Sequence, residues 1–344
     1  MNGRARWTAT SPRLRPPPVL LAILFSTLVG GALVLVSGHN PLHAYAEIVE
    51  GSLSLDSLPD TLNWATPLVG MTLVAAIPLR GGMLNLGGDG QLVIGGLIGA
   101  LLPLVLPGPG ALVSVAALAA AALGAGLYAA LAAWGEARHG IPMLISSLLL
   151  SYPAVGVTSY LARFPFRDVA TGLPQTAMVP TEARLHALSG ALSAGSLLIA
   201  AIAVAAVFVD RRTVAGYELR MRGKNPRFAG YGGVRLERQA IGTMFASGAI
   251  AGLVGAIVVL GSQFRFIDGA LLTPAYTWSG LMAALLVRGE PAGAILAGLF
   301  FAALQTGGFA MQRETSVPRV LTLVLQAIVI LFLAMRQGVG RRAP

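Results

Sequence analysis

The sequence is dominated by apolar stretches about as long as a helix needs to cross a lipid bilayer, which is roughly 20 residues. We identify ten of them, at about 19–36, 61–79, 91–107, 111–133, 141–162, 189–209, 239–260, 271–287, 291–311 and 317–335. Because backbone N–H and C=O groups cannot stay unpaired in lipid, such stretches must form helices. The sequence therefore predicts an all-α integral membrane protein with about ten transmembrane helices. One membrane domain covers residues 19–335, between short tails at 1–18 and 336–344.

The composition agrees with this class. Only 11% of the residues are charged, against roughly 25% in soluble proteins, so a soluble fold would lack the charges to cover its surface. The chain has no Cys, and its four His residues are scattered. This excludes disulfides and thiolate metal sites, and it offers no spacing for a histidine-bound metal.

The distribution of charge indicates an orientation. The chain carries a net charge of +10, but its basic residues are confined to the breaks between apolar stretches, which argues for a lipid bilayer rather than nucleic acid as the partner. With a cytoplasmic amino terminus, 18 of the 24 Lys and Arg residues lie in inside segments and six lie outside. The first outside loop, residues 38–60, carries four acidic residues and no Lys or Arg. Both termini are therefore predicted to be cytoplasmic.

A cleaved signal peptide is an alternative for the amino terminus. Arg residues precede the first apolar stretch, and Ala-Tyr-Ala at 44–46 mimics a cleavage site. That stretch is longer than a signal-peptide core, which usually has roughly 7 to 15 residues. We therefore favour a retained first helix.

A glycine-rich segment follows the second span. Residues 80–91 contain five Gly in twelve residues, together with the polar residues Asn85, Asp89 and Gln91. Glycine favours irregular backbone, which is tolerated at membrane depth only beside protein or a water-filled cavity. We favour a re-entrant, cavity-lining role for Gly81–Gly90, and a solvated cytoplasmic turn is the alternative.

The segment from residue 210 to residue 238 is the longest and most basic inside loop, with seven Arg and Lys224. Within it, Asn225 and Pro226 predict the start of a short helix, with Asn as the cap and Pro at the first helical position. A basic face could bind anionic lipid. The order of Gly, Asn, Pro and aromatic residues favours instead a surface shaped for a protein partner.

The fifth span offers hydroxyl groups inside the membrane. Ser147 and Ser151 are four residues apart and share a helix face, and Tyr152 follows them. Such groups can contact a polar solute, although binding a backbone carbonyl or bridging helices is the commoner role. Trp64 and Trp278 lie near span ends, where an aromatic belt is the ordinary explanation and stacking on a purine is the alternative.

No set of catalytic residues is recognisable. The only Lys, Lys224, follows Gly223 but precedes Asn225, so no nucleotide-binding P-loop exists, and there is no GxSxG nucleophile motif. The chain is therefore not predicted to be an enzyme. Transport or signalling remains as the class of function.

Two motifs resemble those of a known family. Leu-Asn-Leu-Gly-Gly-Asp-Gly-Gln at 84–91 resembles the FNIGAEGQ signature of permeases in nucleoside-type ABC importers, a family that also holds the ribose and branched-chain amino acid permeases. Leu-Arg-Met-Arg-Gly-Lys-Asn-Pro-Arg-Phe-Ala-Gly-Tyr-Gly-Gly-Val at 219–234 is similar to the segment that forms the family's coupling helix against the ATPase subunit. The resemblance extends from about residue 60 to about residue 335.

The resemblance implies a type II-like permease subunit in a bacterial plasma or inner membrane, forming the pathway for nucleosides or a related small polar metabolite. It implies three protein partners: an ATPase subunit that binds the ATP, a second permease subunit, alike or different, and an extracytoplasmic substrate-binding protein. No cofactor is expected in this chain. The residues implied in coupling to the ATPase are Arg220, Arg222, Gly223, Asn225, Pro226, Tyr231 and Gly232. The residues expected along the translocation pathway are Asn85, Asp89, Gln91, Ser147, Ser151 and Tyr152.

The chain departs from the family pattern in the fifth span. Residues 141–147 read Ile-Pro-Met-Leu-Ile-Ser-Ser where the family often has Val-Asn-Glu-Val-Ile-Ser-Thr, and Ser151 stands where the family tends to have Asn. The cargo could therefore differ from an ordinary nucleoside, and a sugar or branched-chain amino acid permease is one alternative. An ion-coupled secondary transporter is another, weakened because the spans carry almost no ionisable residues away from their ends.

Overall fold

The computed structural model describes residues 18–190 and 192–318, together with 320, 321, 324 and 328, and this part of the chain is mostly helical. Its α-helices are α1 Pro18–Val36, α2 Pro41–Leu53, α3 Leu58–Arg80, α4 Gly88–Val105, α5 Gly110–His139, α6 Met143–Arg163, α7 Gly195–Arg212, α8 Val214–Lys224, α9 Pro226–Tyr231, α10 Leu236–Val258, α11 Tyr276–Leu286 and α12 Pro291–Thr315. A short 3₁₀ helix covers Thr181–Ala183, and a π-helical turn at Val259–Gln263 extends α10.

Within the described part of the chain, six helices are long and apolar enough to cross a membrane, by length and composition. They are α3, α4, α5, α6, α10 with its π-helical turn, and α12. These six coincide with the predicted second to fifth, seventh and ninth spans. The mostly helical membrane architecture is thereby confirmed, while the count of ten and the orientation stay predictions.

Of the remaining predicted spans, the first coincides with a helix, and the sixth and eighth do so only in part. The first corresponds to α1, whose described side chains form a shorter apolar segment at Leu24–Val36. The eighth contains α11, which has 11 residues because the chain before it forms turns and Ala275 has a positive φ of 54°. Most of the tenth span, 317–335, and nearly all of the two tails lie outside the described residues.

The sixth predicted span begins later than residue 189. Strands β1 (Ala187–Ser189) and β2 (Leu192–Ser193) form a small antiparallel hairpin there, with Gly190 at a positive φ of 52°. Helix α7 therefore starts at Gly195. The predicted first outside loop likewise contains a helix, α2, which Asn40 caps by accepting a hydrogen bond from the Leu42 N–H at 2.9 Å.

Helix α10 lies at the centre of the bundle, where small residues allow close packing. A Cβ atom added at Gly95 of α4 would overlap the backbone of Gly252 in α10, and one added at Gly252 would overlap the carbonyl of Ala121 in α5. Helix α10 is therefore held between α4 and α5 at backbone contact. The interior cluster around this contact includes Leu68, Leu92 and Val254.

Candidate functional site

The segment after α3 turns back into the bundle. The chain reverses at Gly81 and Gly82, and Gly82 has a φ of +71°. Ser247, in the middle of α10, donates its hydroxyl to the Val74 carbonyl at 2.6 Å and accepts from Asn85 Nδ2 at 2.8 Å. Asn85 therefore lies level with Val74, about 9 Å back along α3 from its last residue. We call residues 81–87 the fold-back segment. Its position beside the middle of α10 favours the re-entrant interpretation over a turn at the membrane surface.

Asn85 and Gln91 form a closed amide pair. Asn85 Nδ2 donates to Gln91 Oε1 at 2.8 Å, and Gln91 Nε2 donates to Asn85 Oδ1 at 3.0 Å. The Gly87 N–H also donates to Asn85 Oδ1, at 2.9 Å. Both side chains are buried. These two predicted pathway residues are therefore brought together, and their hydrogen bonds hold the fold-back segment against the start of α4.

Helix α6 contacts the same segment through its serine face. Ser147 Oγ accepts a hydrogen bond from the Leu86 N–H at 3.2 Å, and Ser151 is buried one turn later with no partner for its hydroxyl among the described residues. The two serines share a face, as predicted. Tyr152 points away and is 68% exposed. Asp89 is half-buried in the first turn of α4.

The basic segment 210–238 forms two short helices, α8 and α9. Asn225 caps α9 by accepting a hydrogen bond from the Phe228 N–H at 3.1 Å, and Pro226 is its first residue, so the predicted helix start is confirmed. Helix α9 has only six residues. Its aromatic side chains Phe228 and Tyr231 point outward, and Tyr231 is 92% exposed. The sequence reasoning missed Phe228, although its position between Pro226 and Tyr231 was a usable signal.

A buried carboxylate ties the two helices before α9 to the end of α3. Asp210, near the end of α7, is 6% exposed and receives two hydrogen bonds from Arg80, from Nε at 3.1 Å and from Nη2 at 3.2 Å. Arg220 of α8 lies on the same carboxylate, with Nη1 3.3 Å from Oδ1. We call these three residues the charge cluster. Sequence reasoning missed it, because an acid at a span end gives no sign of a partner 130 residues away.

Helix α8 also packs directly on the turn that begins the fold-back segment. A Cβ atom at Gly223 would overlap the Arg80 carbonyl, and one at Gly81 would lie 3.3 Å from Cγ of Leu219. The approach of residue 223 to the Arg80 backbone is possible only because this residue is glycine, whereas the atoms closest to Gly81 belong to flexible side chains. The α8 backbone and the α3 end are therefore in contact over one turn.

Arg222 points into the body of the protein as well. Its Nη1 donates to the Leu236 carbonyl at the start of α10, at 2.6 Å. Burial lowers the pKa of its guanidinium, and the charge of nearby Glu136 opposes this shift. Of the residues expected to bind the ATPase, Arg220, Arg222 and Gly223 thus face the permease itself. The others, Asn225, Pro226, Tyr231 and Gly232, lie at the exposed α9 end.

An aromatic cluster lies at the opposite end of the bundle. Trp64 precedes Arg80 by 16 residues of α3, or about 24 Å along the helix axis. Its ring centroid is 5.8 Å from that of Tyr276 and 5.5 Å from that of Phe309. Trp64 lines two adjacent cavities of about 1010 and 160 Å³. The sequence singled out Trp64 but gave no sign of Phe309.

Polar groups accompany these rings. The larger cavity is also lined by Asp56, Asp60, Gln312 and Arg313, and the smaller one by Asn63, Ser262 and Gln263. Gln263 Oε1 is buried without a hydrogen-bond partner among the described residues. Apolar and aromatic walls with a few polar groups are typical of small-molecule sites. Among all residues that the structure describes, no three His, Asp or Glu side chains lie close enough together to hold a metal ion.

The amide pair predicts a coupling between two substitutions. Asn85→Leu or Gln91→Leu alone leaves a buried amide unpaired and should cost about 1–3 kcal/mol of the free energy of unfolding. The double substitution should cost less than the sum, because both amides are then gone. Reversible denaturation of the detergent-solubilised protein measures this. Asn85→Leu combined with Thr158→Val, which alters a separate hydrogen bond within α6, is the additive control. Additivity of the first pair within about 0.5 kcal/mol would contradict this geometry.

Known proteins resemble this chain along most of its length. It is 34% identical over 328 residues to a glucose ABC transporter permease protein of Haloferax volcanii, covering 91% of this chain and 86% of that protein. It is 26% identical over 328 residues to a guanosine ABC transporter permease protein of Bacillus subtilis, covering 92% of each. It is 26% identical over 331 residues to a nucleoside ABC transporter permease protein of Lactococcus lactis subsp. cremoris, covering 92% of this chain and 90% of that protein.

The family model described as branched-chain amino acid transport system / permease component matches residues 57–334, which is most of the chain. With the six apolar helices, these likenesses identify a multi-pass protein of the cell membrane. Its relatives are transport components. The chain therefore belongs to the branched-chain amino acid transport system / permease component family of ABC transporter permeases.

Proposed function

We propose that this chain forms the translocation pathway of an ATP-binding cassette importer for nucleosides or a related small polar metabolite. A separate ATPase subunit would bind the ATP and drive import. The observation that carries the proposal is the contact between α8 and the end of α3, which joins the exposed helix α9 to the fold-back segment.

The proposed path of force begins at α9. A push on α9 reaches α8 through Asn225, which ends α8 and caps α9. From α8 it passes to the end of α3 through the contact of Gly223 with Arg80 and through the charge cluster. The amide pair and Ser247 then carry the movement to α4 and α10. Rigid shifts of packed helices are a common means of opening one side of a pathway and closing the other.

Helix α9 has the features of a docking element for the ATPase. Its exposed Phe228 and Tyr231 are of a kind that contributes strongly to protein interfaces, and Ala229 anchors it on the permease. Two further partners follow from the family: a second permease subunit, alike or different, and an extracytoplasmic substrate-binding protein. ATP would be held by the ATPase, with no cofactor in this chain.

The aromatic cluster is the best-supported cargo contact. A nucleobase presents a flat face, and the rings of Trp64 and Phe309 line the larger cavity beside polar groups. Tyr276, which is buried, lines the smaller cavity. The guanosine and nucleoside relatives favour this cargo. A sugar is the second candidate, favoured by the 34% identity to the glucose permease. An ion-driven carrier is less favoured, because Asp210, the one buried acidic side chain of the described residues, is paired with two arginines.

Substitution of the exposed aromatics of α9 tests docking. Phe228→Asp with Tyr231→Asp should reduce co-purification of the ATPase subunit at least about tenfold, because interface aromatics carry much of the binding free energy. Tyr217→Asp, an exposed tyrosine of α8, is the matched control and should retain the ATPase. Equal retention by all variants would argue against docking through α9.

Substitution of Trp64 tests the cargo site. In proteoliposomes that contain the complete transporter, Trp64→Ala should raise the cargo concentration for half-maximal uptake about tenfold, since stacking on one base contributes about 1–3 kcal/mol. Trp64→Phe should retain most of the uptake, and Trp134→Ala, at the other end of the bundle, is the control. Guanosine and glucose are compared as cargo. Unchanged uptake of both by Trp64→Ala would exclude this cluster as the cargo contact.

A further inference from the structure

A third cavity lies at the end of the bundle that carries the basic segment. It has a volume of about 710 Å³, within the range of small-molecule sites, and lies between α3, α7, α8 and α10. Its wall is mainly apolar and includes Ile77, Ile202, Val209, Ala246 and Ile250. The aromatic cluster contributes nothing to it. This cavity is therefore separate from the proposed cargo contact.

The mouth of this cavity is basic. Arg235 and Arg238 line it, are exposed, and form no ion pair with any described residue. Arg235 is the N-cap residue of α10, and Arg238 lies in the first turn, which has no side-chain cap and so leaves backbone N–H groups available. Glu237 of the same turn lines a different cavity. One acid without an ion-pair partner in the described part, Glu218, also lines the cavity, while Arg80 and Asp210 neutralise each other there. The mouth therefore favours an anion.

One polar side chain next to this cavity has no hydrogen-bond partner. Gln239, one turn into α10, lines it, and both its amide oxygen and its amide nitrogen are buried without a hydrogen-bond partner in the described part of the chain. A buried unpaired amide costs free energy. Because these two amide atoms are buried, they are not open to the cavity, and the polar contacts that the cavity offers lie at its mouth.

We propose that this cavity binds one anionic phospholipid from the leaflet beside the basic segment. One of its two acyl chains lies along the apolar wall, and the phosphate contacts Arg235, Arg238 and the N–H groups at the start of α10. Basic pockets between membrane helices commonly bind anionic head groups. The proposal does not depend on which cargo the importer carries.

Native mass spectrometry of the full-length protein, exchanged into detergent with phosphatidylglycerol, tests the site. We expect one retained phosphatidylglycerol per chain and little retained phosphatidylcholine. Arg235→Gln with Arg238→Gln should weaken retention about 30-fold, as expected for two lost charges. Arg212→Gln with Arg227→Gln, also in the basic segment but absent from the cavity lining, is the matched control and should retain the lipid.

A second variant fills the cavity without touching its charges. Gly242 lines the cavity, and a Cβ atom there meets open space, so Gly242→Leu should fold and should displace the acyl chain. Gly156→Leu in α6, also at an open position, is its control and should retain the lipid.

Four results would overturn the proposal. Retention unchanged by Gly242→Leu would place the lipid elsewhere, and equal retention of phosphatidylcholine would remove the requirement for an anionic lipid. Displacement by guanosine or glucose would make the cavity part of the cargo pathway. Displacement of the lipid by inorganic phosphate alone would show that the cavity is a simple anion site and not a lipid site.

Discussion

The carboxylate of Asp210 lies between the guanidinium groups of Arg80 and Arg220, and much of the proposed mechanism depends on this arrangement. A charge that is 6% exposed must be paired, because an unpaired buried carboxylate would be strongly destabilising. The pairing therefore fixes the ends of α3 and α7 and the face of α8 relative to one another. With these ends fixed, Gly223 contacts the Arg80 carbonyl. The exposed helix α9, which follows α8 directly, is thereby joined to the ends of α3 and α7.

The fold-back segment extends this unit into the bundle. Irregular backbone inside a membrane bundle needs partners for its polar groups, and the side chains of Ser147 and Asn85 accept hydrogen bonds from the backbone N–H groups of Leu86 and Gly87. Gln91 and Ser247 in turn bond the Asn85 side chain. These hydrogen bonds also hold the fold-back segment against α4, α6 and α10 at the same time. A displacement at the basic end can therefore reach the central helix α10 through direct contacts.

Local patterns made some of this predictable from the sequence. The six matched spans follow from apolar length alone, and the start of α9 follows from Asn225 and Pro226, because a cap and its helix are neighbours in the chain. The shared face of Ser147 and Ser151 follows from helical spacing. Helix α2 was missed because its apolar residues are too few to suggest a span.

The remaining features depend on contacts between distant residues. Nothing near Asp210 indicates Arg80, and nothing near Trp64 indicates Phe309, because each pair meets only when the helices pack. The same limit explains why the sequence did not predict the direction of the Arg222 side chain. Its position in a basic loop suggests an outward role, yet its guanidinium is bound to the Leu236 carbonyl.

The central claim, that α8 and the start of the fold-back segment move as one unit, can be tested by a cross-link. The chain has no Cys, so Gly81→Cys with Leu219→Cys creates a single pair, and a Cβ atom at position 81 would lie 3.3 Å from Cγ of Leu219. Oxidised and reduced forms of the complete transporter are compared for ATP-driven uptake, with each single-Cys variant as control. The account predicts similar uptake in both forms. Loss of uptake on oxidation, restored by a reductant, would show that the two segments must separate during transport and would contradict it.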